Sequence, residues 1–486
     1  MGGELTNINK LDKDVISIYS IGDNSYGNIT YLNKKELNIK KLFMDNYYQC
    51  FAIDAYNNLY SWGLNNYYQL ANGNRSNYLF NNEEYESRKR NESNFCIIAS
   101  ESKSNISKAI GKIFYSQIEF PIQVSKIKQI SCGDGFTLFL ENSGLVYSVG
   151  RNDKGQLGYE LPNSDAQFVD GIKCNPKVNL IEYFKNKEIK IEKIICGSDF
   201  CFAIEYINPN TINDVHQVPE EIYSWGNNEL HQLGIEDNKY KYYFNPIKAS
   251  ILNKILKQKQ TRVKKFVSGW SHGCFLGIDG GIYLWGNPFI EYNKKFKDIE
   301  IPININNLKN SSKIIDISSG FNHIAVLSLS SNKQNSIDLY TFGANEFGQL
   351  GYETDEIYID NLNEVKIPQS DINENLNITK VECGAYHTIV QMGTNLIYGF
   401  GQNNCQQIGR YQEEFLSSPK KWNHSYESFF KDDIKTDEKI LKGIKCSNGI
   451  TCLIIKYKSQ FEELYGEIKN NYELRINTEE IPLKIE

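Results

Sequence analysis

Apolar residues in this chain fall in short runs closed by glycine, asparagine or aspartate, as in FTLFL from Phe136, CFAI from Cys201 and IAVL from Ile324. Runs of this length, rich in aromatic and β-branched residues and bracketed by turn formers, predict strands. Seven times a run opens with tyrosine and ends in glycine: YSIG from Tyr19, YSWG from Tyr60, YSVG from Tyr147, YSWG from Tyr223, YLWG from Tyr283, YTFG from Tyr340 and YGFG from Tyr398. Successive tyrosines lie 41 to 87 residues apart, too far for one hairpin and right for a multi-stranded unit with variable loops. A repeat of that size built from strands and turns predicts the blades of a β-propeller.

A second signature stands upstream: CGDGFTLFL from Cys132, CGSDFCFAI from Cys196, SGWSHGCFL from Ser268, SGFNHIAVL from Ser319 and CGAYHTIVQ from Cys383, with looser copies from Met44 and Cys446. A small residue and a glycine ahead of an apolar strand suit strands crowded around a central axis, where backbones approach closely. Both signatures count seven, but they are out of phase. Tyr19 has no partner before it and Cys446 none after it. The two orphan halves, residues 19–29 and 446–455, are therefore expected to share one blade, closing the ring and removing exposed sheet edges.

The expected organisation is an all-β chain with a seven-bladed β-propeller over residues 15–456. An N-terminal segment, 1–14, precedes it, and an insertion at about 71–123, of mixed charge and little alternation, interrupts it as a surface excursion. A second insertion, residues 167–192, reads as an ordered connection. In the tail, 457–486, Phe461, Leu464, Tyr465 and Ile468 recur at helical spacing and predict a short amphipathic helix.

A formal net charge of −6 argues against a protein built as a whole for nucleic acid. The stretch from Lys254 to Lys265 is locally basic, which reads as a solvated face or as a phosphate-binding patch. Of the 11 cysteines, Cys132, Cys196, Cys383 and Cys446 share one repeat position and read as small buried hydrophobes of a reducing compartment. With no apolar N-terminal region and no long apolar stretch, the expectation is an intracellular protein, nuclear or cytoplasmic, not secreted and without a membrane partner.

Catalytic patterns are absent: no phosphate-binding GxxxxGK[ST], no HExxH and no paired CxxC. His272, His323 and His387 hold one repeat position, where two other copies have Phe136 and Phe200. A position that accepts phenylalanine is a packing position, so no metal, cofactor or covalent catalysis is expected. The Asn and Gly of the turns, such as Asn152, Gly155 and Gly158, read as structural. Function is left to the loops on the faces of the ring.

Together, the [C/S]-G-x-x-[H/F] strand and the Y-S-W-G-x-N-x-x-x-Q-L-G turn resemble the regulator of chromosome condensation family of seven-bladed propellers, over nearly the whole chain. The resemblance implies either guanine-nucleotide exchange on a Ran-type small GTPase or a non-catalytic interaction scaffold, with chromatin as a further partner through basic loops such as Lys254 to Lys265, and a monomer. Exchange factors of the family use acidic residues in the loops after the inner-strand glycines. Asp134 and Asp199 match in position and charge. Asn322 stands where those members place a functional histidine. The turn from Gly150 to Gly158 is of ordinary length where they carry a longer wedge, and their basic N-terminal arm has no counterpart here.

Overall fold

The computed structural model describes residues 17–22, 31–32, 39–45, 47–73, 75, 96–100, 114–115, 119–207, 220–237, 239–287, 313–330, 336–368, 376–393, 396–422 and 439–457. The N-terminal segment 1–14, most of the 71–123 insertion and the C-terminal helix expected in 457–486 lie outside the described residues.

The described strands form seven sheets. Their inner strands are Ile39–Met44, Ile127–Gly133, Ile191–Cys196, Val263–Ser268, Ile314–Ser319, Ile378–Cys383 and Lys439–Ser447, which define blades 1 to 7 in that order. Each inner strand packs beside the next, and the last packs beside the first, so the ring is closed. Blade 7 is assembled from both ends of the chain. Ser17–Gly22 runs antiparallel to Ile450–Tyr457, with Tyr19 opposite Leu453 and Ser17 opposite Ile455. The phase mismatch between the two repeat signatures is the sequence trace of this closure.

Part of the segment expected to be an insertion belongs to blade 1. Cys96–Ser100 pairs with the tyrosine strand Asn58–Gly63 as the fourth strand, and Ala71 and Ile122 are buried. The apolar run CIIAS is itself a strand signal, hidden by the charged residues ahead of it. Residues 167–192 are ordered, as expected, but they supply blade strands: Gln167–Val169 and Ile172–Leu180 are the outer strands of blade 2. Blade 4 shows three strands among the described residues.

The repeat signatures are hydrogen-bonding instructions. In blade 2, the Asn152 side chain accepts from Leu157 N–H at 3.0 Å, Gln156 Oε1 accepts from Lys154 N–H at 2.9 Å, and Ser148 Oγ donates to the Leu157 carbonyl at 2.7 Å. The Gln156 carbonyl then faces the next blade and accepts from Trp225 Nε1 at 3.0 Å. The same bonds recur in blade 3 around Asn228, Gln232 and Ser224, with Trp285 donating from blade 4. Thus the Asn and Gln of the turn tie the loop down, and the loop ties one blade to its neighbour.

Two glycine positions are sterically required. Gly150, at φ +109°, has no room for a Cβ, which would lie 2.4 Å from the Gly135 carbonyl. On the inner strand, a Cβ on Gly320 would lie 2.2 Å from the His323 ring and 2.4 Å from the Gly384 carbonyl of the next blade. The inner glycine is therefore the floor on which the following His or Phe ring rests. All seven inner strands also shift register by one residue near their start, as between Ile127 and Gln129. Such bulges sharpen the twist where strands converge on the axis.

Candidate functional site

Beyond each inner-strand glycine the chain turns on one face of the ring before entering the second strand. These turns are laced together: Asp134 N–H donates to the Ser198 carbonyl at 2.7 Å, Trp270 N–H to Phe321, Phe321 N–H to Ala385, and Ala385 N–H to Asn448. Equivalent residues of neighbouring blades therefore sit side by side on this face.

That lacing brings Asp134 of blade 2 beside Ser198 and Asp199 of blade 3. Neither carboxylate is bare. Arg151 Nη1 lies 3.2 Å from Asp134, while its other nitrogens hold Asp153 in a two-point contact at 2.6 and 2.9 Å. Lys154 pairs with Asp199, which also accepts from Asn227 Nδ2 at 3.0 Å. Burial, joined by the nearby Asp199, pushes the Asp134 pKa up against the pull of Arg151. Burial alone would draw Arg151 down, yet Asp153 and then Asp134 outweigh it and hold it above its ordinary value. Arg151 also stands over the Tyr67 ring, 5.9 Å from its centre.

Asn322 holds in blade 5 the place that Asp199 holds in blade 3, each directly before the residue paired with the tyrosine-strand glycine. It is buried, and its carbonyl accepts from Ala344 N–H at 2.8 Å. The structure brings Asp134 and Asp199 together and leaves Asn322 two blades away on the same face.

The axis at this end is filled with aromatic rings. Tyr47 of blade 1 reaches across to Phe321 of blade 5, 5.8 Å between ring centres. Phe321 in turn meets Trp270 at 5.0 Å and Tyr386 at 5.5 Å. Phe321 is 5% exposed, whereas Trp270 is 42% exposed, so the cluster is seated in the core and open at one edge. Tyr47 joins it to the acids: burial, followed by Asp134 and Asp199, pushes its phenol well up. Sequence reasoning missed Arg151, Lys154, Tyr47 and the aromatic hub. The signal was available as two cations at variable positions of the blade 2 turn and aromatics just past two inner-strand glycines.

The repeated histidines are core groups. His272, His323 and His387 are buried, and each Nε2 meets a hydroxyl of the next blade: Ser319 at 3.0 Å, Thr388 at 3.0 Å and Thr451 at 3.1 Å. Burial lowers the pKa of each to about 3, so they stay neutral. Among the described residues no cluster of His, Cys, Asp and Glu is placed to hold a metal ion. The ten cysteines whose side chains are described are free thiols, and burial pushes Cys132, Cys383 and Cys446 up. Among the described residues no helix is long and apolar enough to cross a membrane.

The stretch from Lys254 to Lys265 spans most of the helix Ser250–Lys259 and the start of a strand. Its cations are largely matched, Lys254 with Glu236, Lys257 with Glu221, Arg262 with Glu220 and Lys265 with Asp316. That arrangement is a solvated, paired face more than a phosphate cradle.

The sequence profile of the regulator of chromosome condensation (RCC1) repeat matches residues 143–204, 220–276 and 338–391, and a second profile of the same repeat matches 127–156. The ultraviolet-B receptor UVR8 of Arabidopsis thaliana is 25% identical over 299 residues, 61% of this chain and 57% of that protein. The regulator of chromosome condensation of Mus musculus is 26% identical over 205 residues, 39% of this chain and 44% of that protein. The match thus spans about half the length of these curated relatives. The solved structure of Prp20p from Saccharomyces cerevisiae superposes with a TM-score of 0.60 at 16% identity, covering 96% of this chain and 99% of that one. Repeat chemistry, closed ring and profile matches converge: the chain carries regulator of chromosome condensation repeats and builds from them a propeller of that family's kind.

Proposed function

We propose that this chain is a guanine-nucleotide exchange factor for a Ran-type small GTPase, and that it engages the GTPase through the face carrying Asp134 and Asp199. The observation that carries this reading is the convergence of the two acids, 65 residues apart in sequence, beside a partly exposed aromatic centre. Aromatic anchors within a charged rim are how protein interfaces concentrate binding energy. Prp20p, which shares the fold, has binding properties toward Gsp1p and histones.

The mechanism is linkage. A GTPase holds its nucleotide through a phosphate-cradling loop, a lysine and Mg2+. A protein that binds the empty form better than the loaded form weakens nucleotide binding by the same factor that nucleotide weakens it. Asp134 and Asp199, fixed on a rigid ring, would pair with basic groups that the empty GTPase exposes. A second reading, a non-catalytic scaffold using the same face, is favoured by the internal pairing of both acids with Arg151 and Lys154.

Release of a fluorescent guanine nucleotide from a Ran-type GTPase decides between the two. Exchange predicts release accelerated by the wild-type chain and depressed at least about tenfold by the Asp134→Asn, Asp199→Asn double variant, since ~1.4 kcal/mol separates each decade. Binding of the GTPase with an unchanged release rate would leave the scaffold reading in place of exchange.

A further inference from the structure

We propose that Lys154 is an internal stand-in for a partner's basic side chain. On this view Asp199 is a cation-accepting pocket that the free protein fills with its own lysine, and binding exchanges Lys154 for a lysine or arginine of the partner. The inference rests on the reading above and deepens it by naming the group that leaves when the partner's cation enters.

Three observations carry it. First, the Asp199 side chain is 9% exposed and its contact with Lys154 comes from a different blade. A carboxylate that far from water needs a cation, so the pocket is not left empty. Second, the turn that carries Lys154 is fixed independently of that ion pair. Its backbone is held by the Lys154 N–H bond to Gln156, by Asn152 and by Trp225. Only the lysine side chain has to move, and a flexible stem ending in a point charge moves readily. Arg151 differs, because its two-point contact with Asp153 holds it in place. Third, the Tyr47 hydroxyl is buried near both acids and stands beside Ser198 without a completed hydrogen bond. A phenol oxygen at this place can accept a hydrogen bond from a cation that reaches the acids.

The test pairs affinity with a direct view of the lysine. In the first arm, nucleotide-free Ran-type GTPase is bound to the wild-type chain, to Lys154→Met and to Asp199→Asn. Lys154→Met should bind about tenfold more tightly, because no internal cation has to leave, and Asp199→Asn at least about tenfold more weakly. In the same samples, the Lys154 side-chain NMR signal, identified by its loss in Lys154→Met, should move to the position of free lysine on binding. In the second arm a tetra-arginine peptide replaces the GTPase, and its effect on that signal should disappear in Asp199→Asn. A peptide that displaces Lys154 while the GTPase fails to bind would sink the GTPase reading and keep the exchange of cations. A Lys154 signal unmoved by both probes, or Lys154→Met binding no tighter than wild type, would overturn the exchange.

Discussion

Acid should loosen this ring before it protonates the carboxylates, and the buried histidines set the size of the effect. Each of His272, His323 and His387 has a folded pKa of about 3, against an ordinary value of 6.5. Because the folded form stays neutral while the unfolded form takes up a proton, their contribution is complete above pH 6.5. It is lost as the pH falls toward 3. At pH 5 the loss is about 2 kcal/mol per histidine, or about 6 kcal/mol for three, against a total domain stability of roughly 5–15 kcal/mol. Glu382 enters later. Burial would raise it, but Lys445 and Lys380 outweigh burial and hold it near 2, so its contribution is lost between the ordinary 4.5 and that value. The difference between wild type and a histidine variant over pH 6.5 to 5 therefore isolates that histidine. The decisive variant is His323→Phe, since Phe136 and Phe200 already occupy the equivalent position. At pH 7.5 it loses the bond to Thr388 and should be less stable by ~1 kcal/mol. At pH 5 it escapes ~2 kcal/mol of proton uptake, so the order should reverse. Denaturant titrations followed by tryptophan fluorescence at the two pH values read both terms. Parallel stability curves for wild type and variant would show that His323 does not titrate as its burial demands.

Two further outcomes follow from the ring. Deleting residues 1–30 removes the strand Ser17–Gly22 and should unfold the whole propeller cooperatively at lower temperature; a truncated chain melting like the full one would mean that blade 7 is dispensable for closure. Gly320→Ala forces a methyl against the His323 ring and the Gly384 carbonyl and should cost ~1–3 kcal/mol in a chemical melt, whereas an unchanged midpoint would refute the steric role given to the inner glycine.

The fold was legible because a propeller writes its hydrogen bonds into every repeat. Tyr, Ser, Gly, Asn, Gln and Leu recur at fixed offsets, and each meets the same partner in successive blades, as Asn152 and Asn228 do. Closure was legible from phase alone. The placement of Asp134 and Asp199 on one face followed from repeat equivalence, but their ionic partners did not. Arg151 and Lys154 occupy variable positions of the turn, and Lys154 meets Asp199 only because the ring sets the turn of blade 2 above the loop of blade 3. A pattern read one repeat at a time carries no information on contacts between repeats.

The histidines show how such contacts are nonetheless encoded, one blade over. Sequence reasoning took the alternation of His with Phe as a sign of packing or of bonding to the backbone. The structure adds that each histidine at this position is matched by what the next blade offers. His272, His323 and His387 each face a hydroxyl, from Ser319, Thr388 and Thr451. Phe136 faces blade 3, which has Cys196 and Cys201 at the two corresponding places and no hydroxyl at either. Ile450, facing blade 1, likewise finds Met44 and Cys50. Phe200 faces Ser268, which donates to the Cys196 carbonyl at 2.6 Å just as Ser319, Thr388 and Thr451 donate to carbonyls, so a hydroxyl next door permits a polar ring without requiring one. A polar ring thus appears only where the neighbouring blade has a hydroxyl to meet it, because a buried imidazole without a partner costs more than an apolar side chain of similar size. At these three interfaces neighbouring blades are therefore matched by side-chain pairing as well as by the course of the chain.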